Sequence, residues 1–300
     1  MGRLYGEEGK ALIVNDQTGL RNDNVYPELK VITGAEFVEK FGPTRKGWDQ
    51  ALVSDGVLVN MVGKNYGVVP NIDFFGQVEN QLLNKDIKTL VRSINRDNSA
   101  FAVDHILADD RYTVRVKGSK KDDIIRPMIS FTNSYDSSTK TTGKFGFYRE
   151  HCKNGLHVLT SEIGFSLRHK GKIMEVVLPE IQLLLEKFIN NEYYEIHKKF
   201  VVLAETPIKN IEEYVKIACH DLGIFKFEKS DENPEASKNA EMVIQMIKRE
   251  ASVLGEQPSL WLGYNSLNFH IHNVSKRSIG AQYDLDAKIF NYNMELAGVN

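Results

Sequence analysis

The spacing of apolar residues changes along the chain, and each change marks a different kind of element. Residues 1 to 50 hold no sustained period: Asn15-Asp16, Thr18-Gly19, Asn22-Asp23-Asn24 and Gly42-Pro43 interrupt short apolar stretches. An irregular arm is expected there, with one or two helical turns where Phe37, Val38 and Phe41 share a face. The run VLVNMVGKNYGVV, from Val57 to Val69, is β-branched and predicts two short strands with Gly63 and Gly67 at the turn. Asn71 then suits an N-cap, and Phe74, Phe75, Val78, Leu82 and Leu83 recur near 3.6 residues, predicting a helix over 71–83.

The middle of the chain alternates. Strands are predicted at 100–107, 112–116, 124–131, 144–151 and 164–169, the first two joined by a hairpin through Ala108-Asp109-Asp110. In 111–117, Tyr112, Val114 and Val116 face one way and Arg111, Thr113, Arg115 and Lys117 the other; in 144–149, Phe145 and Phe147 oppose Lys144 and Tyr148. After Gly171 the helical period returns. Leu178, Ile181, Leu185, Phe188, Ile196 and Phe200 mark one long helical stretch. Ile211 to Leu222 forms a second helix stopped by Gly223, Met242 to Leu254 a third, and Leu260 to His272 a further one. The segment KSDENPEASK, Lys229 to Lys238, has the composition of a linker.

These elements predict an α+β fold: an antiparallel sheet with helices packed on one side and a helical C-terminal region. Three parts are expected: an arm over 1–55, a core domain over 56–228, and helices over 229–300 packed on that core. At 300 residues and 42% hydrophobic content, burial alone suffices to hold such a core. Two cysteines, Cys152 and Cys219, form no C-x-x-C pair, and the first residues lack a basic, then apolar, leader. No apolar run has the length of a membrane span. A cytoplasmic protein without a membrane role is therefore expected.

Charge changes the picture more than composition does. The net charge is −2, yet between Arg111 and Lys172 thirteen Lys and Arg stand against five acids, so this segment carries +8 and the remainder −10. A basic, strand-rich centre in an otherwise acidic chain suits a surface that meets phosphate; it also suits ordinary solvated strand faces. On the first reading the contact residues are Arg111, Arg115 and Lys117 on one strand face, joined by Arg126, Lys144, Arg149 and Lys153, with Tyr148 exposed among them. Cations beside aromatics are what single strands require, because bases stack while Lys and Arg neutralise the backbone.

Other motifs point to turns or cores. Thr132 to Ser138, TNSYDSS, could hold an anion, but Asn, Asp and Ser satisfy their own backbone in turns. His151-Cys152 lacks a local cysteine-enzyme signature, and His270 and His272 diverge by about 200° on a helix. Phosphate-loop, dinucleotide, nucleophile-elbow and H-E-x-x-H patterns are absent. No cofactor or metal is expected.

Four segments together resemble the domain of unknown function 932 family over roughly 55–272. They are VGKNYGVVPN from Val62, RPMISFTNSYDSS from Arg126, FYREHCKNGL from Phe147, and LWLGYNSLNFH from Leu260. The resemblance implies a protein of phages, plasmids and related elements, with no established catalytic residues to transfer. The expected function is a non-catalytic module binding single-stranded nucleic acid, DNA foremost, as an accessory of replication or recombination, and compatible with a homo-oligomer. A structural or interaction protein whose basic face docks an acidic partner, and a nucleic acid enzyme of unfamiliar signature, are the alternatives.

Overall fold

The computed structural model describes residues 12–14, 26, 28–97, 100–108, 113–150, 154–156, 164–190, 194–230 and 233–299. The strands are β1 (Leu12–Val14), β2 (Leu29–Thr33), β3 (Gln50–Ser54), β4 (Val57–Val62), β5 (Thr89–Asp97), β6 (Ala100–Leu107), β7 (Val114–Val116), β8 (Asp123–Ser134), β9 (Thr141–Arg149), β10 (Asn154–Leu156), β11 (Gly164–Leu167), β12 (Glu228–Ser230) and β13 (Asn233–Ala236). The helices are α1 (Gly34–Phe41), α2 (Asn71–Asn84), α3 (Ile173–Ile189), α4 (Tyr194–Glu205), α5 (Ile211–Leu222), α6 (Lys238–Leu254), α7 (Leu260–Asn273) and α8 (Ile279–Leu296). An antiparallel sheet with helices and a helical C-terminal region is thus observed.

The main sheet runs in the order β1-β5-β6-β8-β9-β10, with β7 added to β8 and β11 to β9. The predicted hairpin between 100–107 and 112–116 does not form among the described residues. β8 pairs β6 through its second half, Ala100 opposite Ser134 to Ile106 opposite Met128, and β7 through its first, Val114 opposite Ile125. A strand of twelve residues spans about 40 Å, long enough to carry both end to end.

Every residue of β6 is buried, so this central strand is covered on both faces. One face is packed by helices. Phe74 of α2 meets Phe131 at 6.0 Å, Phe188 of α3 stacks on Phe145 at 5.4 Å, and Phe200 of α4 meets Phe147 edge-on at 4.8 Å. Each fully buried Phe contributes about 1.5–3 kcal/mol relative to exposure. On the other face Tyr283, from the first turns of α8, packs against Ala102. Residues of α6, α7 and α8, among them Leu254, Trp261 and Phe290, share one core with the sheet.

Four local expectations are corrected. The arm is not irregular throughout: β2, α1 and β3 lie within it, and β2, β3 and β4 form a three-stranded sheet whose hairpin turn, Asp55-Gly56, crosses the expected boundary at 55. Both turn residues take positive φ, 47° and 78°, as a tight two-residue hairpin needs. The run over 57–69 supplies one strand, β4, rather than two. The long helix splits into α3 and α4, and the β12–β13 hairpin, from Glu228 to Ala236, takes up most of the expected linker over 229–238.

At the start of α2, Pro70 takes the cap position and Asn71 the first helical one. Capping comes from the TNSYDSS segment instead. Asn133 Nδ2 donates to Val69 O (2.8 Å) and Asn71 Oδ1 (2.7 Å), and the Asn71 N–H donates to Tyr135 Oη (2.9 Å). Ser138 N–H donates to Asp136 Oδ1 at 2.9 Å, the local bond of an Asx turn. The segment therefore works as a turn and a helix brace.

Candidate functional site

Strand parity decides where the candidate cations go. In β9, Phe145, Phe147 and Arg149 share the helix-covered face, and Lys144 and Tyr148 the opposite one. Arg149 is accordingly 0% exposed. Its Nε donates to Asp123 Oδ2 and its Nη1 to Glu250 Oε2, each at 2.6 Å. Its guanidinium stands 5.7 Å from the Trp261 ring centre, and the Trp261 indole N–H donates to the same Asp123 oxygen at 2.8 Å. A desolvated guanidinium is retained only when so paired. Arg149 ties β8, β9, α6 and α7 together and does not reach a surface ligand, which corrects its place among the contacts.

The remaining candidates do not form one row. Arg126 is held by Glu150 (Nε to Oε1, 2.6 Å) and by Thr113 Oγ1 (3.2 Å). Tyr148 is half-buried. Arg115 and Lys117 are exposed, make no ion pair among the described residues, and line a cavity of about 600 Å³ beside β7. Arg111 and Lys153 lie outside the described residues, as do His151 and Cys152.

Lys144 alone enters the larger cleft, of about 650 Å³, between β9, β11, the turn over 135–140 and the first turns of α8. Lys140 and Arg168 line the same cleft, so three cations face one carboxylate, Asp284. Burial holds the Lys144 ammonium below its ordinary value and the charge of Lys140 adds to this, while Asp284 opposes. Thr132 and Thr142 bridge their strands through hydroxyls 2.6 Å apart on the cleft side, and Ser137, Ser138 and Ser166 add further hydroxyls. Ser278 caps α8, its Oγ accepting from Ala281 N–H at 3.5 Å, so the positive end of that helix adjoins the cations.

One wall is aromatic. Tyr66 stacks on His169 with centroids 5.2 Å apart and planes within 4°. The approach depends on Gly67, where an added Cβ would stand 2.7 Å from the Ile173 side chain and 2.8 Å from Gly171 O. Burial lowers the His169 pKa from its usual 6.5 despite the Gly67 and Thr139 carbonyls, which favours the neutral ring.

Local sequence pattern does not single out Lys140, Arg168, Tyr66 or His169. Lys140 and Arg168 belong to the +8 segment, but only the β11–β9 pairing, with Phe165 opposite Gly143, brings Arg168 toward the cleft. Elsewhere, Cys219 is buried with its thiol pushed up to about 12, and burial together with Arg277 lowers His270 to about 4. Among the described residues no group of three or more His, Cys, Asp or Glu is placed to hold a metal ion, and no helix is long and apolar enough to cross a membrane.

Fold and clefts together define an α+β protein on an antiparallel sheet, with a cation- and hydroxyl-lined cleft on the sheet face opposite the aromatic core. The chain belongs to the family described as Domain of unknown function (DUF932), whose model matches residues 59–287. No curated protein and no solved structure matches it.

Proposed function

We propose that this protein binds a single strand of nucleic acid, DNA foremost, in the cleft between β9, β11 and α8, without catalysing its conversion. The observation that carries the reading is the convergence of Lys140, Lys144 and Arg168 with a stacked Tyr66–His169 pair in one concavity. Cations and hydroxyls suit phosphate oxygens, and a ring face suits an unstacked base, which a single strand offers and a duplex does not. Such binding would serve an accessory of replication or recombination in a mobile element.

The test is fluorescence anisotropy of the protein with labelled single-stranded and duplex DNA across a salt series. Strand binding should exceed duplex binding, and log affinity should fall linearly with log salt at about 0.7 per phosphate neutralised. Equal affinity for duplex, or no binding at low salt, would remove this reading.

A further inference from the structure

The cavity beside β7 shares no lining residue with the nucleic-acid cleft. Part of its wall is apolar, with Val201 and Ala204 from α4, Leu254 from the end of α6, Pro258 from the loop before α7, and Leu262 from α7 itself. A volume of about 600 Å³ falls within the range of cavities that enclose small organic ligands.

One end of this cavity carries open hydrogen-bond donors. α7 begins there, and its second and third residues, Trp261 and Leu262, line the cavity while their N–H groups have no backbone acceptor among the described residues. Ser259, at the cap position, is only 5% exposed and also lines the cavity. Its hydroxyl makes no cap bond and no other hydrogen bond among the described residues. That hydroxyl is accessible at the cavity lining and is therefore open to a ligand there. No acidic residue occupies the first turn of α7, the usual internal partner for such a terminus. Arg115 and Lys117, unpaired among the described residues, add positive charge along the β7 side. Two carboxylates share the lining: Glu205, exposed in the last turn of α4, and Glu256, which accepts from Ser119 N–H at 2.6 Å.

We propose that this cavity binds an amphipathic carboxylate, its apolar body between Val201, Leu254 and Leu262 and its carboxylate against Ser259 and the start of α7. The same chemistry is offered by a small organic acid and by the C-terminal residue of a protein whose last side chain is apolar. Nucleic acid binding in the other cleft is not required for it.

Isothermal titration of the full chain with four probes tests the assignment: octanoate, octanol, and a short leucine-terminated peptide as the free acid and as its amide. At least one acid should bind, and at least about tenfold more tightly than its neutral counterpart. Octanoate binding the tighter would assign a small organic acid, and the peptide acid the tighter a protein C-terminus. Ser259→Ala should weaken the acid by about two- to tenfold, the loss of one hydrogen bond. That variant should leave stability and binding of a single-stranded oligonucleotide unchanged, since Ser259 makes no cap bond. Arg115→Glu with Lys117→Glu, both at exposed positions, should weaken the acid by at least about tenfold. Equal binding of acid and neutral probe, no binding of either acid, or full acid affinity in both variants would overturn the proposal.

Discussion

Replacing Arg149 by methionine keeps most of the side-chain volume and removes the positive charge that bridges Asp123 and Glu250. In the native protein the Arg149 and Asp123 side chains are 0% exposed and Glu250 is 8% exposed. The variant therefore leaves two carboxylates with little access to water, Asp123 keeping the Trp261 indole N–H and Glu250 losing its guanidinium donor. Stranding one partner of a buried ion pair costs about 3–5 kcal/mol, a large share of the ~5–15 kcal/mol that holds an ordinary domain folded. At ~2–4 °C per kcal/mol, Tm should fall by roughly 6–20 °C. Arg126→Met is the internal control, because the Arg126–Glu150 pair is 16% and 36% exposed and its loss should cost about 1 kcal/mol or less. Urea unfolding followed by far-UV circular dichroism compares the two directly. A loss below about 1 kcal/mol for Arg149→Met, or weakened nucleic acid binding at unchanged stability, would refute the buried role and return Arg149 to the surface.

Asp104 should make stability depend on acidity. Burial raises its carboxyl from 3.8 to about 6, against the opposing hydrogen bond from Ser130, the charge of His272 and the hydrogen bond from Tyr283. The folded state thus favours the protonated form: the penalty is absent below pH 4, grows between pH 4 and 6, and is constant above. Asp104→Asn should gain on the native protein by up to about 3 kcal/mol between pH 4 and pH 7, at 1.36 kcal/mol per pKa unit, and a difference flat with pH in urea titrations would contradict this. Asn133→Ala removes the brace at the start of α2 and leaves the Val69 carbonyl without that donor, so a loss of about 1–3 kcal/mol is expected. Hydrogen exchange should place the weakening in the first turn of α2, and unchanged protection there would argue against the brace.

How far the sequence could be read depended on whether local periodicity or distant pairing decided a position. Phe74, Phe75, Val78 and Leu82 follow the helical period, and all four are buried on α2. Val114, Arg115 and Val116 alternate as predicted, with the arginine exposed. The same rule, applied one residue further than Tyr148, places Arg149 with Phe145 and Phe147 on the buried face; reading it as a contact weighed its charge above its parity. The cleft was less legible for a different reason. Lys140 stands in a turn, Arg168 follows a strand that joins the edge of β9, and Asp284 comes from a helix that begins at 279. Their meeting is set by strand order and by the packing of α8, neither of which leaves a period in the sequence. The cavity beside β7 is similar: Arg115 and Lys117 carry a visible charge signal, but the bare start of α7 is defined by a hydrogen bond that Ser259 does not make.

The most direct measurement compares two charge reversals at exposed positions, Lys140→Glu with Arg168→Glu in the cleft and Arg115→Glu with Lys117→Glu beside β7, by anisotropy on one labelled single-stranded oligonucleotide across a salt series. Binding in the cleft requires the first pair to lose at least about tenfold in affinity and to flatten the salt slope, at about 0.7 per lost phosphate contact, while the second pair stays near the native protein. Equal losses in both pairs, or a loss confined to the second, would contradict a nucleic acid site between β9, β11 and α8.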